Sequence, residues 1–266
     1  MKEQFKNSPL VELIAELHWN TGMNPEQPVF PGEQLNLHED FFRNLTEQTS
    51  AAGYVTSERL VPNGFPFPIH VPVIRFKQNP SLGDTEARAK KLATLYQVGS
   101  GLFTINAIQP YSNWDDFKEV VRTGLRALLE SKPCMLNSGF KVTLRYVNAF
   151  GESLVGNQDL RSFMSEHLGI NVNLPDVMST PPANGESSIP VIQIQTPLNF
   201  GVFKISLGEG TVNNHQALVM ENAVEVNQEV AHDVDEILNE LTRARDVIHS
   251  RFVELTKSLH SSMGLI

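Results

Sequence analysis

A single cysteine, Cys134, in 266 residues leaves no intrachain disulfide and no cysteine-based zinc site to consider. A reducing cytosol is the natural setting for such a chain. Basic side chains are also scarce. Twenty-one Lys and Arg against 30 Asp and Glu give a formal charge of −9. Non-specific nucleic-acid binding needs a surplus of phosphate-neutralising cations, so duplex DNA is disfavoured as a partner. The amino-terminal MKEQFKNSPLVEL lacks the apolar stretch of a signal peptide, and no uninterrupted apolar run reaches membrane-spanning length. The expectation is a cytoplasmic protein with no membrane association.

Motifs of catalysis and metal binding are missing as well. His38, His232, His249 and His260 are scattered, without the i, i+4 pairing of a zinc helix, and His-Glu-x-x-His is absent. No Gly-x-Ser-x-Gly elbow occurs. Gly99-Ser100-Gly101 reads as a turn, and neither it nor Gly208-Glu209-Gly210 is followed by the Lys-Ser/Thr of a phosphate-binding loop. Cys134 follows Pro133 at a helix exit, with no adjacent basic group to lower its pKa. No metal, cofactor or catalytic set is therefore assigned.

What the chain does hold is a layout that runs through the same order twice: strand, helix, four strands, helix. Forty-one per cent hydrophobic residues suffice for one large core or two coupled ones. Val11, Leu13, Ala15, Leu17 and Trp19 alternate with Glu12, Ile14, Glu16 and His18, the period of a strand over Pro9 to Trp19. After the proline-bearing segment Asn20 to Leu37, a helix over His38 to Ala51 presents Phe41, Phe42 and Leu45. Strands are predicted over Tyr54–Val61, Val71–Lys77, Leu95–Val98 and Leu102–Ile108, with NPSLGDTEARAKK a charged excursion among them. A helix from Trp114 to Ser131, N-capped by Asn113, closes the half.

The second half begins with a strand over Phe140–Phe150. A helix over Gln158–Leu168 follows, ended by Gly169. Strands are then predicted at Ile170–Met178, Pro190–Thr196, Gly201–Leu207 and Gln216–Val226, with MSTPPANGESSIP as a loop. The last helix is predicted from Glu229 to Ser262, roughly 50 Å long at 1.5 Å per residue.

The fold class expected is α+β. Tandem β-α-β4-α halves, residues 1–135 and 136–266, would form one long antiparallel sheet with four helices on one face and the other face open. The two halves share negligible residue identity, so the repeat is one of element order.

Three stretches carry a resemblance to a known family. NSPLVELIAELHW is similar to its Pro-hydrophobic-Val-Glu strand, and YQVGSGLFTINAIQPYSNWDDF to its Gly-hydrophobic-Asn…Tyr…Trp…Phe junction. LRYVNAF is similar to its Arg-Tyr-hydrophobic-Asn strand, and IHSRFVELTKSLHSSMG is a looser match to its tail. On these the chain resembles a sporadically distributed bacterial family of unknown function. The resemblance implies no cofactor or catalytic residue; it implies an accessory locus, with a role in defence or a toxin–antitoxin system. The element order is also similar to the duplicated fold of the TATA-box-binding protein, in topology alone.

Strand parity puts Arg75, Lys77, Lys141, Arg145 and Lys204 on the open face with Glu12, Glu16, Glu221 and Glu225, and Gln97, Gln193 and Gln195 between them. Such a mixed face suits a protein or peptide better than a phosphate backbone. The candidate binding residues are Glu12, Glu16, His18, Arg75, Lys141, Arg145 and Lys204. Against this, Glu12, Glu16, Lys141 and Arg145 simply pair across neighbouring strands. Arg145 reads either as a contact for a ligand anion or as such a pair, whereas Tyr146 and Asn148 point toward the helices. His18 beside Glu16 suggests an acid–base set, but alternate strand side chains start about 7 Å apart.

The function expected is non-enzymatic recognition of a protein or peptide. Two alternatives stay open: nucleic-acid binding by the sheet face, and an enzyme with a polar site near Glu12, Glu16 and Arg145. The apolar seam of the last helix, with Ile248, Phe252, Leu255 and Leu259, is expected to form a homodimer.

Overall fold

The computed structural model describes residues 5–21, 34–62, 68–78, 93–109, 113–133, 138–156, 158–175, 190–212 and 214–265. The expectations for Cys134, for NPSLGDTEARAKK and for most of MSTPPANGESSIP lie outside these residues.

Nine strands form one sheet: β1 Leu10–His18, β2 Thr56–Arg59, β3 Ile74–Lys77, β4 Ala93–Gly99, β5 Leu102–Ile108, β6 Lys141–Phe150, β7 Ile192–Pro197, β8 Gly201–Val212 and β9 His215–Val226. The helices are α1 Gln34–Ala51, α2 Trp114–Glu130, α3 Glu152–Val155, α4 Leu160–Leu168, α5 Val234–Leu255 and α6 His260–Met263. The class is α+β, with an antiparallel sheet ordered β2-β3-β4-β5-β1-β6-β9-β8-β7 and helices packed on it. Among the described residues there are six helices rather than four, α3 and α6 being four residues each. By compactness the chain divides into two units. Met1–Val11, Tyr146–Val224 and Arg245–Ile266 form one, and Glu12–Arg145 with Glu225–Ala244 form the other.

In the unit containing Glu12–Arg145, the period-two pattern of β1 sends Leu13, Ala15 and Leu17 into the core, all fully buried. They stand opposite Ala107, Ile105 and Phe103 of β5. Helix α2 covers this side with Phe117, Val121, Leu125 and Leu128, spaced three or four residues apart and fully buried. Burying each such side chain contributes about 1.5–3 kcal/mol. The helix approaches closely at Gly124, where a Cβ would lie 2.9 Å from a Tyr96 ring carbon. Tyr96 spans the same gap, donating its hydroxyl to the Val120 carbonyl at 3.0 Å. Burial raises the Tyr96 pKa far above its ordinary value, and the neighbouring Tyr54 adds to this. Asn113 caps α2 by accepting from the Asp116 backbone N–H at 2.9 Å.

In the other unit, Asp159 caps α4 and Gly169 ends it in the left-handed region at φ 67°. The strand expected over Ile170–Met178 does not form across 170–175, and 176–178 lie outside the described residues. Ile170, Val172 and Leu174 imitate strand alternation, but the Ile170 N–H closes the helix end on the Met164 carbonyl at 3.0 Å. Pro175 has no N–H to offer a neighbouring strand. Counted outward from β1 and β6, the sheet therefore carries β5, β4, β3 and β2 on one side, but only β9, β8 and β7 on the other.

The carboxyl-terminal helix is shorter than predicted. Its 22 residues span about 33 Å. Asp233 starts it by accepting from the Asp235 and Glu236 N–H groups. At the far end Thr256 turns its hydroxyl back to the Phe252 carbonyl at 2.8 Å, and a 3-10 turn over Lys257–Leu259 follows. The same geometry places the residues of the expected dimer seam. Ile248, Phe252 and Leu259 are buried within their own chain and Leu255 is half-buried. Phe252 meets the ring of Phe5 edge-on at 6.0 Å, and Lys6 and Asn7 donate to the Gly264 and Met263 carbonyls.

Candidate functional site

The side of the sheet opposite α2 carries a polar network whose members come from β2, β3, β5, β1 and β6. Arg145 Nη1 donates to Glu16 Oε1 at 2.6 Å. Glu16 Oε2 lies 3.6 Å from His18 Nε2. Although the Cα atoms of alternate residues are far apart, the long side chains of Glu16 and His18 lean together over the strand.

One register step away, Asn106 Nδ2 donates to Glu12 Oε1 at 2.8 Å while its own Oδ1 accepts from Thr104 Oγ1 at 2.7 Å. At the outer strands Glu58 takes Lys77 Nζ at 2.6 Å, with Arg75 Nη1 at 3.6 Å. Arg75 Nε is buried without a hydrogen-bond partner among the described residues. Lys141 is exposed and makes no ion pair among them. Lys204 stands opposite Gln195 on β8, in the other unit.

Of the four charges expected to pair, Glu16 and Arg145 do so, whereas Glu12 takes the amide of Asn106 instead of Lys141. Asn148 faces the core at 3% exposure, donating weakly to the Met220 carbonyl.

This side is less open than strand parity alone implies. Ile14, Leu102, Thr104 and Asn106 are all buried. Thr104 is short, and its register neighbours Glu16 and Gln97 shield it from both sides. At the end near Gly99 a backbone strap, Ile69–Val73, crosses the surface. Ile69 bridges to Ser100, the His70 N–H donates to the Ser100 carbonyl at 2.8 Å, and the Val73 N–H donates to the Val98 carbonyl at 2.7 Å. The strap sets the His70 ring 5.3 Å from the His18 ring, centroid to centroid. His70, Thr104 and Asn106 escaped sequence reasoning. His70 falls in a proline-rich turn with no period, and Thr104 and Asn106 read as ordinary strand polar positions. Sets of three or more His, Cys, Asp or Glu side chains placed to hold a metal ion do not occur among the described residues.

Burial pushes the Glu16 carboxyl upward. The hydrogen bond from His18 and the charge and hydrogen bond of Arg145 outweigh that, so its pKa lies below the usual carboxylate value. A depressed folded-state pKa gives stability that is complete above the unfolded value of about 4.3 and is lost as pH falls through the folded one. Glu16 is thus an ionised structural partner at neutral pH. Replacing Arg145 leaves this largely buried carboxylate without its cation. Arg145→Met is expected to cost about 1–2 kcal/mol, the buried-pair penalty reduced by the exposure of Arg145. The part of the stability that is lost on acidification through Glu16 should also shrink, because without Arg145 its folded-state pKa is no longer held as far below the unfolded value. Urea unfolding between pH 3.5 and 7 reads both effects; identical pH profiles would disprove the coupling.

A second feature lies at the sheet's other end. Among the described residues β7 is its terminal strand, paired with β8 alone. Ile194 is 42% exposed and Val191 73% exposed, whereas Ile205, opposite Ile194, is buried. No protein-family model matches the chain, and neither a curated protein nor a solved structure does so either.

Proposed function

We propose that this chain is a non-enzymatic recognition protein that takes up an extended segment of a protein or peptide partner as an added strand beside β7. The observation that carries this reading is the shorter side of the sheet, ending on an exposed strand where the longer side has one strand more. Natural sheet edges are blunted by charges, bulges or covering segments. Residues 187–203 contain no charged side chain at all, and Gln193, Ile194 and Gln195 are all exposed. The opposite edge, β2, is TSER, with Glu58 and Arg59 and a cross-strand ion pair to guard it. An added strand gains main-chain hydrogen bonds for affinity, and its side-chain contacts with Ile192, Ile194 and Thr196 supply selectivity. The polar side of the sheet supports the same choice, since Glu16 and Glu58 are already matched by the protein's own cations.

Selection from a random-peptide display library tests this. Peptides rich in β-branched and aromatic residues are expected, with affinity reduced at least tenfold by Ile194→Lys, which places a gatekeeper charge on the edge, and unchanged by Lys141→Ala. Peptides whose binding survives both Ile194→Lys and Gln195→Pro would remove β7 as the site.

A further inference from the structure

We propose that His18 and His70 form a two-nitrogen site for a divalent transition-metal ion of the zinc, nickel and copper group. This is independent of the recognition role at β7. The two Nδ1 atoms face one another at 3.5 Å. Two imidazole nitrogens bound to one tetrahedral zinc ion at about 2.0–2.1 Å stand about 3.4 Å apart. The observed separation therefore matches the bite that one ion requires, with little movement of either ring.

The far side of His18 is equally suited. Its Nε2 faces Glu16 Oε2 at 3.6 Å, and the other oxygen of Glu16 is engaged by Arg145. A carboxylate beyond the imidazole places the proton on Nε2 and leaves the Nδ1 lone pair for the metal, the arrangement that orients ligating histidines in metal sites generally. His70 Nδ1 also lies 3.0 Å from the Gly101 carbonyl oxygen. In the metal-free protein this nitrogen donates there; with an ion bound, the proton moves to Nε2, and the same carbonyl stands beside the metal.

The strap holds His70 in place before any ion arrives. His70 has φ 58°, a left-handed conformation uncommon outside glycine. It is maintained by the bond from its N–H to Ser100 and by Gly101 beneath the ring, where a Cβ would come within 2.9 Å of His70 Cε1. An observed backbone outlier of this kind at a polar cluster is a reason to look for a function. His70 is exposed and the His18 side chain is 30% exposed, so solvent water supplies the other coordination positions. With two nitrogen ligands the preference follows the usual order: copper tightest, nickel and zinc weaker, and magnesium or calcium not taken.

Calorimetric titration of the full chain with zinc chloride, then with nickel and copper salts, tests the site. One ion per chain is expected, with affinity at least tenfold lower in His18→Ala and in His70→Asn. Asparagine tolerates the left-handed backbone, so an unchanged urea midpoint in His70→Asn separates loss of a ligand from loss of the fold. His232→Ala and His260→Ala should bind as the parent does. Saturable binding that both His18→Ala and His70→Asn retain, or a titration showing no saturable binding of any of the three metals, overturns the proposal.

Discussion

Gly99→Ala is expected to destabilise the protein by about 3 kcal/mol, the upper range for forcing atoms into a filled space. A Cβ on residue 99 would lie 1.9 Å from the Val71 carbonyl oxygen and 2.8 Å from its carbonyl carbon. Both are backbone atoms, so no side chain can swing aside. Relief requires lifting the Ile69–Val73 strap, which strains the His70 and Val73 hydrogen bonds to Ser100 and Val98. Each such bond contributes about 1 kcal/mol net, and leaving its groups buried and unpaired costs more. The mutation should therefore also separate His70 from His18 and weaken zinc binding along with stability. Gly208→Ala is the control, because a Cβ there meets only Val191 side-chain atoms at an ordinary 3.5 Å. Urea midpoints of the two variants measure the difference; a Gly99→Ala protein as stable as the parent would show that the strap does not rest on β4.

Asn222→Val is expected to act in the opposite direction, raising stability by about 2 kcal/mol. Asn222 is fully buried on β9, and neither Oδ1 nor Nδ2 has a hydrogen-bond partner among the described residues. Its neighbours on the same side, Met220 and Val224, are equally buried and apolar. A buried amide group without partners costs about 1–3 kcal/mol relative to an apolar replacement, and valine fits a strand better than asparagine. The readout is a higher urea midpoint with an unchanged denaturant slope. A variant less stable than the parent would mean that the amide is satisfied after all. Natural sequences keep such a residue only against a stability gradient, which makes the sign of this change informative.

Much of the architecture was legible because strand and helix periods are local. The alternation of β1 placed Leu13, Ala15 and Leu17 inside and Glu12, Glu16 and His18 on the other side, and the structure has them so. Leu102–Ile108 and the start of α2 at Trp114, with Asn113 as its cap, follow from hairpin and capping chemistry confined to a few residues. The failures share one cause. Ile170, Val172 and Leu174 show the period of a strand, but whether a neighbour accepts them depends on segments far along the chain. The Ile248 to Leu259 seam was read correctly as apolar, but periodicity does not say which surface covers it. Its partners include Phe5, nearly 250 residues away in sequence.

The candidate sites divide in the same way. Glu16 and Arg145 were singled out by charge and parity alone, and their ion pair formed as the cross-strand rule expects. His70 carried no signal, because its importance comes from a strap laid over the β4–β5 turn rather than from any neighbour in sequence. The exposure of β7 likewise depends on how many strands the sheet recruits on that side.

Composition and periodicity settled the α+β class, most of the strands and the mixed character of the polar surface, since each depends on residues within a few positions of one another. Folding in three dimensions chose the strand order, the end on which the sheet stops and the meeting of His18 with His70. Those outcomes rest on contacts between residues tens to hundreds of positions apart, for which a linear pattern holds no distance.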